Sequence, residues 1–277
     1  MSTAQISGGD GGRRPGRRGR RPPLLVIAVA AVAVAFFALP LVGLLQQASW
    51  STFGHDLSSD EALTALRLSL VCSLSATALA ALFGLPLAWV LARLRFPGRA
   101  LVRALVLLPL VLPPVVGGVA LLSAFSRRGL VGEHLYDWFG VQLTFTTAGA
   151  ILAETFVALP FFVITVEAAL RTMDQRFEEV AATLGAGRWT VFRRVTLPLI
   201  APSVVAGAVL AWARALGEFG ATITFAGNIV GRTQTLPLAV YQALEGNRDV
   251  ALALSLVLVI VSLVLIVSLR DRWLERS

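Results

Sequence analysis

The sequence contains no lysine. All 24 of its basic side chains are arginine, and against 16 acids they leave a formal charge of +8. A GC-rich codon bias accounts for that absence as well as any selective pressure does. Charge is scarce as a whole: 14% of the 277 residues carry one, against 56% hydrophobic, with a mean hydropathy of +0.77. That balance is far from a soluble domain's and points to several membrane crossings. Cysteine is nearly missing as well. Cys72, alone in an apolar run, excludes an internal disulfide and reads as a small buried hydrophobe rather than a catalytic thiol. The two histidines, His55 and His134, lie outside the apolar runs, and no HExxH, GxSxG or GxxxxGK[ST] pattern occurs. No catalytic residue, metal site or bound cofactor is therefore expected, and any ATP must be held by another polypeptide.

What is present is length and hydrophobicity in repeated blocks. About 20 apolar residues cross the roughly 30 Å of hydrocarbon, and runs of that kind lie near 24–45, 62–92, 101–125, 146–170, 199–222 and 250–269. The fold expected is an all-α membrane protein with six transmembrane helices. Residues 1–23 are a Gly-, Arg- and Pro-rich arm with too little apolar content to fold. Nucleic acid is one reading of its six arginines; retention of the arm on the cytoplasmic side, against anionic lipid, is the preferred one. The run from Leu24 to Leu45 is too long for a cleaved signal core and reads as a retained first span. Arginine placement orients the rest: the arm, the loop with Arg93, Arg95, Arg99 and Arg103, the loop around Arg188 to Arg194 and the tail 270–277 share one side. Both ends are expected in the cytoplasm.

The stretch from Glu178 to Pro202 breaks this apolar pattern. Phe177, Val180, Ala181 and Leu184 follow the i, i+3, i+4, i+7 spacing of one helix face. Asp174 can cap the start, Glu178 and Glu179 suit the positive end of the dipole, and Gly185 can end the helix. After Gly187 a second short run carries Trp189, Phe192 and Val195 on one side, and Leu197-Pro198 is expected to close it. So short a helix is unstable alone and needs a surface to rest on, either in its own chain or in a partner. A helix lying on the lipid surface is the alternative.

Glu179-Val180-Ala181, then Gly185, then Val195-Thr196-Leu197-Pro198 resembles the cytoplasmic loop motif of ABC importer permeases, written EAA, three positions, G, nine positions, I-x-L-P. Val180 stands where Ala is usual and Val195 where Ile is usual. The resemblance implies a type I importer transmembrane domain over residues 61–269, with a coupling helix within about 174–198. It implies that Glu179, Val180, Ala181, Gly185, Val195, Leu197 and Pro198 couple the chain to an ATPase. Gly217 to Ala221, with Thr222-Ile223-Thr224-Phe225 and Asn228-Ile229, is similar to the oxyanion branch of that family, and closest to its molybdate permeases; sulfate permeases share the Gly-Glu-Phe-Gly-Ala core. The implied setting is the bacterial cell membrane. The implied partners are a second copy of the chain, two cytoplasmic ATPase subunits that hold ATP and magnesium, an extracytoplasmic molybdate-binding protein and membrane lipid, with no nucleic acid.

Inside the spans, polar and broken segments mark candidate pathway residues. The third run carries Pro109, Pro113, Pro114, Gly117 and Gly118 and cannot be one straight helix. It reads either as a kinked packing helix or as a bend lining the pathway. Ionisable residues at membrane depth are costly and rarely idle. Glu167 and Arg171 have helical ion-pair spacing, Glu154 is left to a guessed partner in Arg67, and Arg214 with Glu218 reads as an ion pair or part of an outer gate. Thr222, Thr224, Asn228 and Gln234 are the neutral donors and acceptors expected near an outer mouth, though Thr and Asn are also ordinary turn residues. A secondary transporter would need broken helices mirrored in both halves, and only the third run is clearly broken by proline.

Overall fold

A computed structural model describes residues 23–274, and every regular element among them is helical. In chain order these are α1 (Leu24–Gln47), α2 (Phe53–Leu57), α3 (Asp60–Arg93), α4 (Arg99–Val111), α5 (Pro114–Phe125), α6 (Gly132–Phe139), α7 (Thr147–Thr172), α8 (Arg176–Thr183), α9 (Arg188–Val191), α10 (Leu197–Leu216), α11 (Gly220–Ala226), α12 (Leu236–Gly246) and α13 (Arg248–Leu274). A π turn, Phe192–Thr196, joins α9 to α10. The chain divides into two units, residues 1–46 and 47–277, and the first holds α1. The basic arm before Pro23 lies outside the described residues, as does the end of the tail.

The second unit is built on α3, α7 and α10. Their shared core is lined by Ala76, Ala80 and Ala88 of α3, Ala158, Phe162 and Val166 of α7, and Ala211 and Ala215 of α10. Between helices in lipid there is no hydrophobic drive, so close contact of small residues has to supply the attraction. Gly84 marks how close the contact is: a Cβ there would stand 2.7 Å from Cδ1 of Phe162. Two interhelical hydrogen bonds fix the arrangement. Trp212 Nε1 donates to Ser73 Oγ at 2.9 Å, and the Leu236 amide, an orphan donor at the start of α12, is taken up by Ser69 Oγ at 2.5 Å.

Among the described residues five helical stretches are long and apolar enough to cross a membrane: α1, α3, α7, Arg188–Leu216, and Arg248–Leu265 of α13. This makes the protein a multi-pass membrane protein, but corrects the expected count of six transmembrane helices. The third run is two helices of 13 and 12 residues, α4 and α5, each about 20 Å long or less. Leu112 and Pro113 between them are extended, with ψ of 135° and 133°. Consecutive prolines explain the break: Pro114 disfavours helical backbone at Pro113, and Pro113 does the same at Leu112. Pro114 then opens α5 at a position where no amide is needed. The fifth run is also shorter than expected at its end, since α10 stops at Leu216 rather than at Thr222.

Charge is divided between the two ends of the bundle. Arg93, Arg95, Arg99, Arg103, Arg171, Arg176, Arg188, Arg193 and Arg194 gather where α3 and α7 end and α4 and α10 are rooted. The other end, where α3 and α7 begin and α10 stops, holds fewer arginines (Arg127, Arg128, Arg232 and Arg248) and the acids Asp56, Asp60, Glu61, Glu133, Asp137 and Asp249.

Candidate functional site

At the arginine-rich end the loop after α7 folds as two short helices and a turn. Asp174 Oδ1 accepts the Arg176 amide at 3.0 Å, which starts α8. Its stop is a glycine with φ of +86°. Gly185 N donates to Ala182 O at 3.0 Å and Ala186 N to Ala181 O at 3.1 Å, the paired bonds of a Schellman ending. Gly187 is extended, and α9 begins directly after it.

Leu197-Pro198 does not close the second run, contrary to expectation. Proline at 198 has no amide to give to the carbonyl of Arg194, and its ring crowds that turn. The chain accommodates both by widening into the π turn, in which the Leu197 amide reaches back five residues to Phe192 O. α9, the turn and α10 therefore form one continuous helix, Arg188–Leu216.

The motif residues are open. Glu179 and Gly185 are exposed, Val180 is 58% exposed, and Ala181, Val195 and Leu197 are half-buried, with Pro198 exposed. Around them lies an uncovered apolar surface: Phe177 is 56% exposed, Leu184 83% and Trp189 72%, with the Trp189 ring stacked on Phe192. The neighbouring acid behaves differently. Glu178 is turned inward, with Oε2 3.1 Å from Arg93 Nη2 and Oε1 accepting from Thr196 Oγ1 at 2.6 Å. Glu167 pairs with Arg171 at 3.0 Å, as its spacing predicts, and also with Arg103 of α4. Neither Arg93 nor Arg103 was visible as a partner in the sequence, because those pairs join residues 85 and 64 positions apart and leave no local pattern.

At the opposite end α10 breaks at Gly217, and a second polar group forms. Arg214 and Glu218 are an ion pair at 2.5 Å, with Glu218 1% exposed. The other oxygen of Glu218 accepts the Ala221 amide at 2.7 Å and so caps α11. α11 lies close against α5: a Cβ on Gly220 would stand 2.7 Å from Pro114 Cβ, and one on Gly118 2.5 Å from Thr224 Cβ. Pro113 and Pro114 thus adjoin the start of the segment that holds Glu218, Thr222 and Thr224. Thr222 is fully buried with Oγ1 unpartnered, whereas Thr224 Oγ1 donates to Gly220 O at 2.8 Å. Asn228 and Gln234 belong to a separate network, both donating to Gln242 Oε1 of α12, at 3.0 and 2.7 Å.

Glu154 corrects another expectation. It is 1% exposed, one of its oxygens has no partner, and its electrostatic neighbours are Glu218 and Cys72. Arg67 is exposed and borders a surface recess with Thr64, Val71 and Gly231. The helical turn that buries Leu68 and Ser69 directs Arg67 away from the bundle. Among the described residues no group of three or more potential metal ligands occurs.

A bundle of long apolar helices carrying an uncovered helix at its basic end is the architecture of a multi-pass membrane protein. Residues 80–277 match the family described as the binding-protein-dependent transport system inner membrane component, and the chain belongs to that family. It is a multi-pass inner-membrane translocation subunit rather than an enzyme. Over 252 residues it is 48% identical to the molybdenum transport system permease protein ModB of Mycobacterium tuberculosis, covering 90% of this chain and 94% of that one. It is 40% identical over 235 residues to the sulfate transport system permease protein CysT of Escherichia coli K12, covering 83% and 84%. The fold is similar to that of a bacterial ABC transporter involved in the import of alginate, with a TM-score of 0.70 at 21% identity over 92% of this chain and 96% of that one.

Proposed function

We propose that the chain is the membrane-spanning subunit of an ATP-driven importer of an oxyanion, with molybdate as cargo and tungstate as a possible second. The observation that carries the coupling part is the uncovered face of α8 and α9. Phe177, Leu184 and Trp189 lie open on a helix pair too short to hold itself together, so a partner must cover them. An anionic lipid surface suits the start of α8 poorly, since Asp174 precedes it and Glu178 and Glu179 lie in its first turn. A groove in a cytoplasmic ATPase suits it, with Glu179, Val180, Ala181 and Gly185 at the docking core and Val195, Leu197 and Pro198 leading into α10. The continuity of Arg188–Leu216 supports this: a push on α9 is delivered along an unbroken rod.

In this reading the working unit is a homodimer with two ATPase subunits inside and an anion-binding protein outside. The arginine-rich end faces the cytoplasm, as do both termini, and α4 with α5 together complete a sixth crossing. The ABC transmembrane domain spans 61–269, with 1–23 a cytoplasmic arm, 24–45 the first span and 270–277 a tail. ATP binding closes the ATPase pair, draws the two α8 helices together and opens the pathway outward; hydrolysis resets it. Pro113, Pro114, Arg214, Glu218, Thr222, Thr224 and Asn228 are assigned to the pathway or its gate. Neutral hydroxyls and amides suit this role, because a pathway has to release what it admits. The preference for molybdate rests on the 48% identity to the ModB permease, against 40% to the sulfate permease.

The test is uptake by the reconstituted complex. Gly185→Asp and Glu179→Arg are each expected to abolish ATP-dependent uptake while the subunit still inserts; surviving uptake in both would remove the docking assignment. Radiolabelled molybdate, tungstate and sulfate offered in competition settle the cargo, and a preference for sulfate would overturn the choice.

A further inference from the structure

We propose that Arg93, Glu178 and Thr196 form a latch that binds the loop helix α8 to α3 as well as to α10, so that α3 is a second route by which loop movement enters the membrane. The proposal rests on the importer reading above and adds positioning residues: Arg93 and Glu178 outside its loop motif, and Thr196 at the motif's unspecified position. Three observations carry it. Glu178 sits in the first turn of α8, yet its side chain leaves the open face and reaches two other elements. One is Arg93, the last residue of α3, at 3.1 Å; the other is Thr196, the last residue of the π turn, whose hydroxyl donates at 2.6 Å. Finally, the three are shielded, with side chains of Arg93 and Glu178 10% and 20% exposed and Thr196 1% exposed. Shielding makes the attraction far stronger than that of a surface pair.

The π turn has a role here. It shifts the helix register by one residue at its end, and the residue delivered there is the one that faces Glu178. The Arg93 contact is coulombic rather than an aligned hydrogen bond, since neither Nε nor Nη2 of Arg93 finds an acceptor with proper geometry. The pair is thus held by charge, which depends less on direction than an aligned hydrogen bond does. α3 is the longest described helix, 34 residues, and packs along α7 and α10 through the shared core. A pull on its Arg93 end is therefore transmitted through the bundle toward the end where Glu61 lies.

The experiment uses the full complex, permease with its ATPase and binding protein, in liposomes, recording anion uptake and ATP hydrolysis together. Glu178→Gln, Arg93→Met and Thr196→Val are expected to keep assembly and hydrolysis but lower the anion moved per ATP by about tenfold, within the usual range of coupling between sites. Thr196→Ser should keep the ratio, and Arg93→Glu combined with Glu178→Arg should recover part of what each loses alone. Unchanged ratios in the three single variants would overturn the latch. So would uptake and hydrolysis falling in parallel, which would mark a docking or folding role instead. If Arg93→Met does not assemble, the contrast of Thr196→Val with Thr196→Ser decides. A wild-type complex that moves anion without ATP would sink the importer reading itself, whereas a coupled wild type with indifferent variants would sink the latch alone.

Discussion

At both ends of the bundle a glycine interrupts a helix, and the two interruptions are built in opposite senses. At the basic end, Gly185 ends α8 in open space, with nothing within 4 Å of a Cβ added there, and Leu184 and Trp189 face outward. At the other end, Gly217 is exposed but the break it opens turns inward by Gly220; Glu218, Thr222 and Phe225 are 1% exposed or less. One break spends apolar surface on a contact outside the chain. The other spends polar groups inside it, where an unmet partner is costly. Substitutions at the first should therefore cost function with little stability, and substitutions at the second should cost stability first.

The largest effect is expected at the closed break. Arg214→Ala leaves Glu218 as a buried acid without its cation, and breaking such a pair costs about 3 kcal/mol or more. The purified subunit should lose thermal stability by several degrees, read by size-exclusion after heating. Glu179→Ala at the open break should leave that measurement unchanged within about 0.5 kcal/mol, as for an ordinary surface site, while uptake collapses. If both variants lose stability equally, the contrast between the two ends is wrong.

Next in size is a pair of glycine substitutions. Gly118→Ala puts a methyl group 2.5 Å from Thr224 Cβ and 3.0 Å from the Ala221 carbonyl, so α5 and α11 must part. Overpacking of this kind costs about 1–3 kcal/mol. Gly185→Asn meets no neighbour and only has to hold a positive φ, which asparagine tolerates better than other residues. It should cost less than Gly118→Ala in the same melting assay and lower uptake less than Gly185→Asp, which adds a negative charge at the wrong end of the α8 dipole.

The same contrast decides what could be read from the sequence. The open break was legible in detail: the apolar spacing of Phe177, Val180 and Leu184, the turn at Asp174 and the stop at Gly185 are local signals, and the structure follows them. The Leu112–Pro113 break is legible for the same reason, although the two prolines do not by themselves show that two short helices replace one span. What failed depended on distant residues. Arg67 is only a guessed partner for Glu154, because the sequence alone does not fix which way a side chain turns about its helix. Leu197-Pro198 reads as a stop because proline ordinarily is one; a π turn absorbs it, and no residue pattern announces such a turn. Arg93 reaches Glu178 across 85 positions, a pairing that exists only once α3 and α8 are packed.

The smallest effect sharpens the comparison most, because it sets two caps of like chemistry in unlike surroundings. Asp174 and Glu218 each accept a backbone amide at the start of a short helix, Arg176 at 3.0 Å and Ala221 at 2.7 Å. Asp174 is exposed, so water can replace it when it is removed. Asp174→Ala should therefore cost about 1 kcal/mol, confined to α8. Global melting should stay put, with faster amide hydrogen exchange over residues 176–183 as the only structural trace. Glu218→Gln, in contrast, keeps an acceptor for Ala221 but discards the charge that answers Arg214, at a side chain that is 1% exposed. Its effect should exceed that of Asp174→Ala and be felt across the α5–α11 contact. Faster exchange spreading into α3 after Asp174→Ala would mean that the first turn of α8 supports the bundle, and the open end would then be less separate from the core than its exposed surface implies.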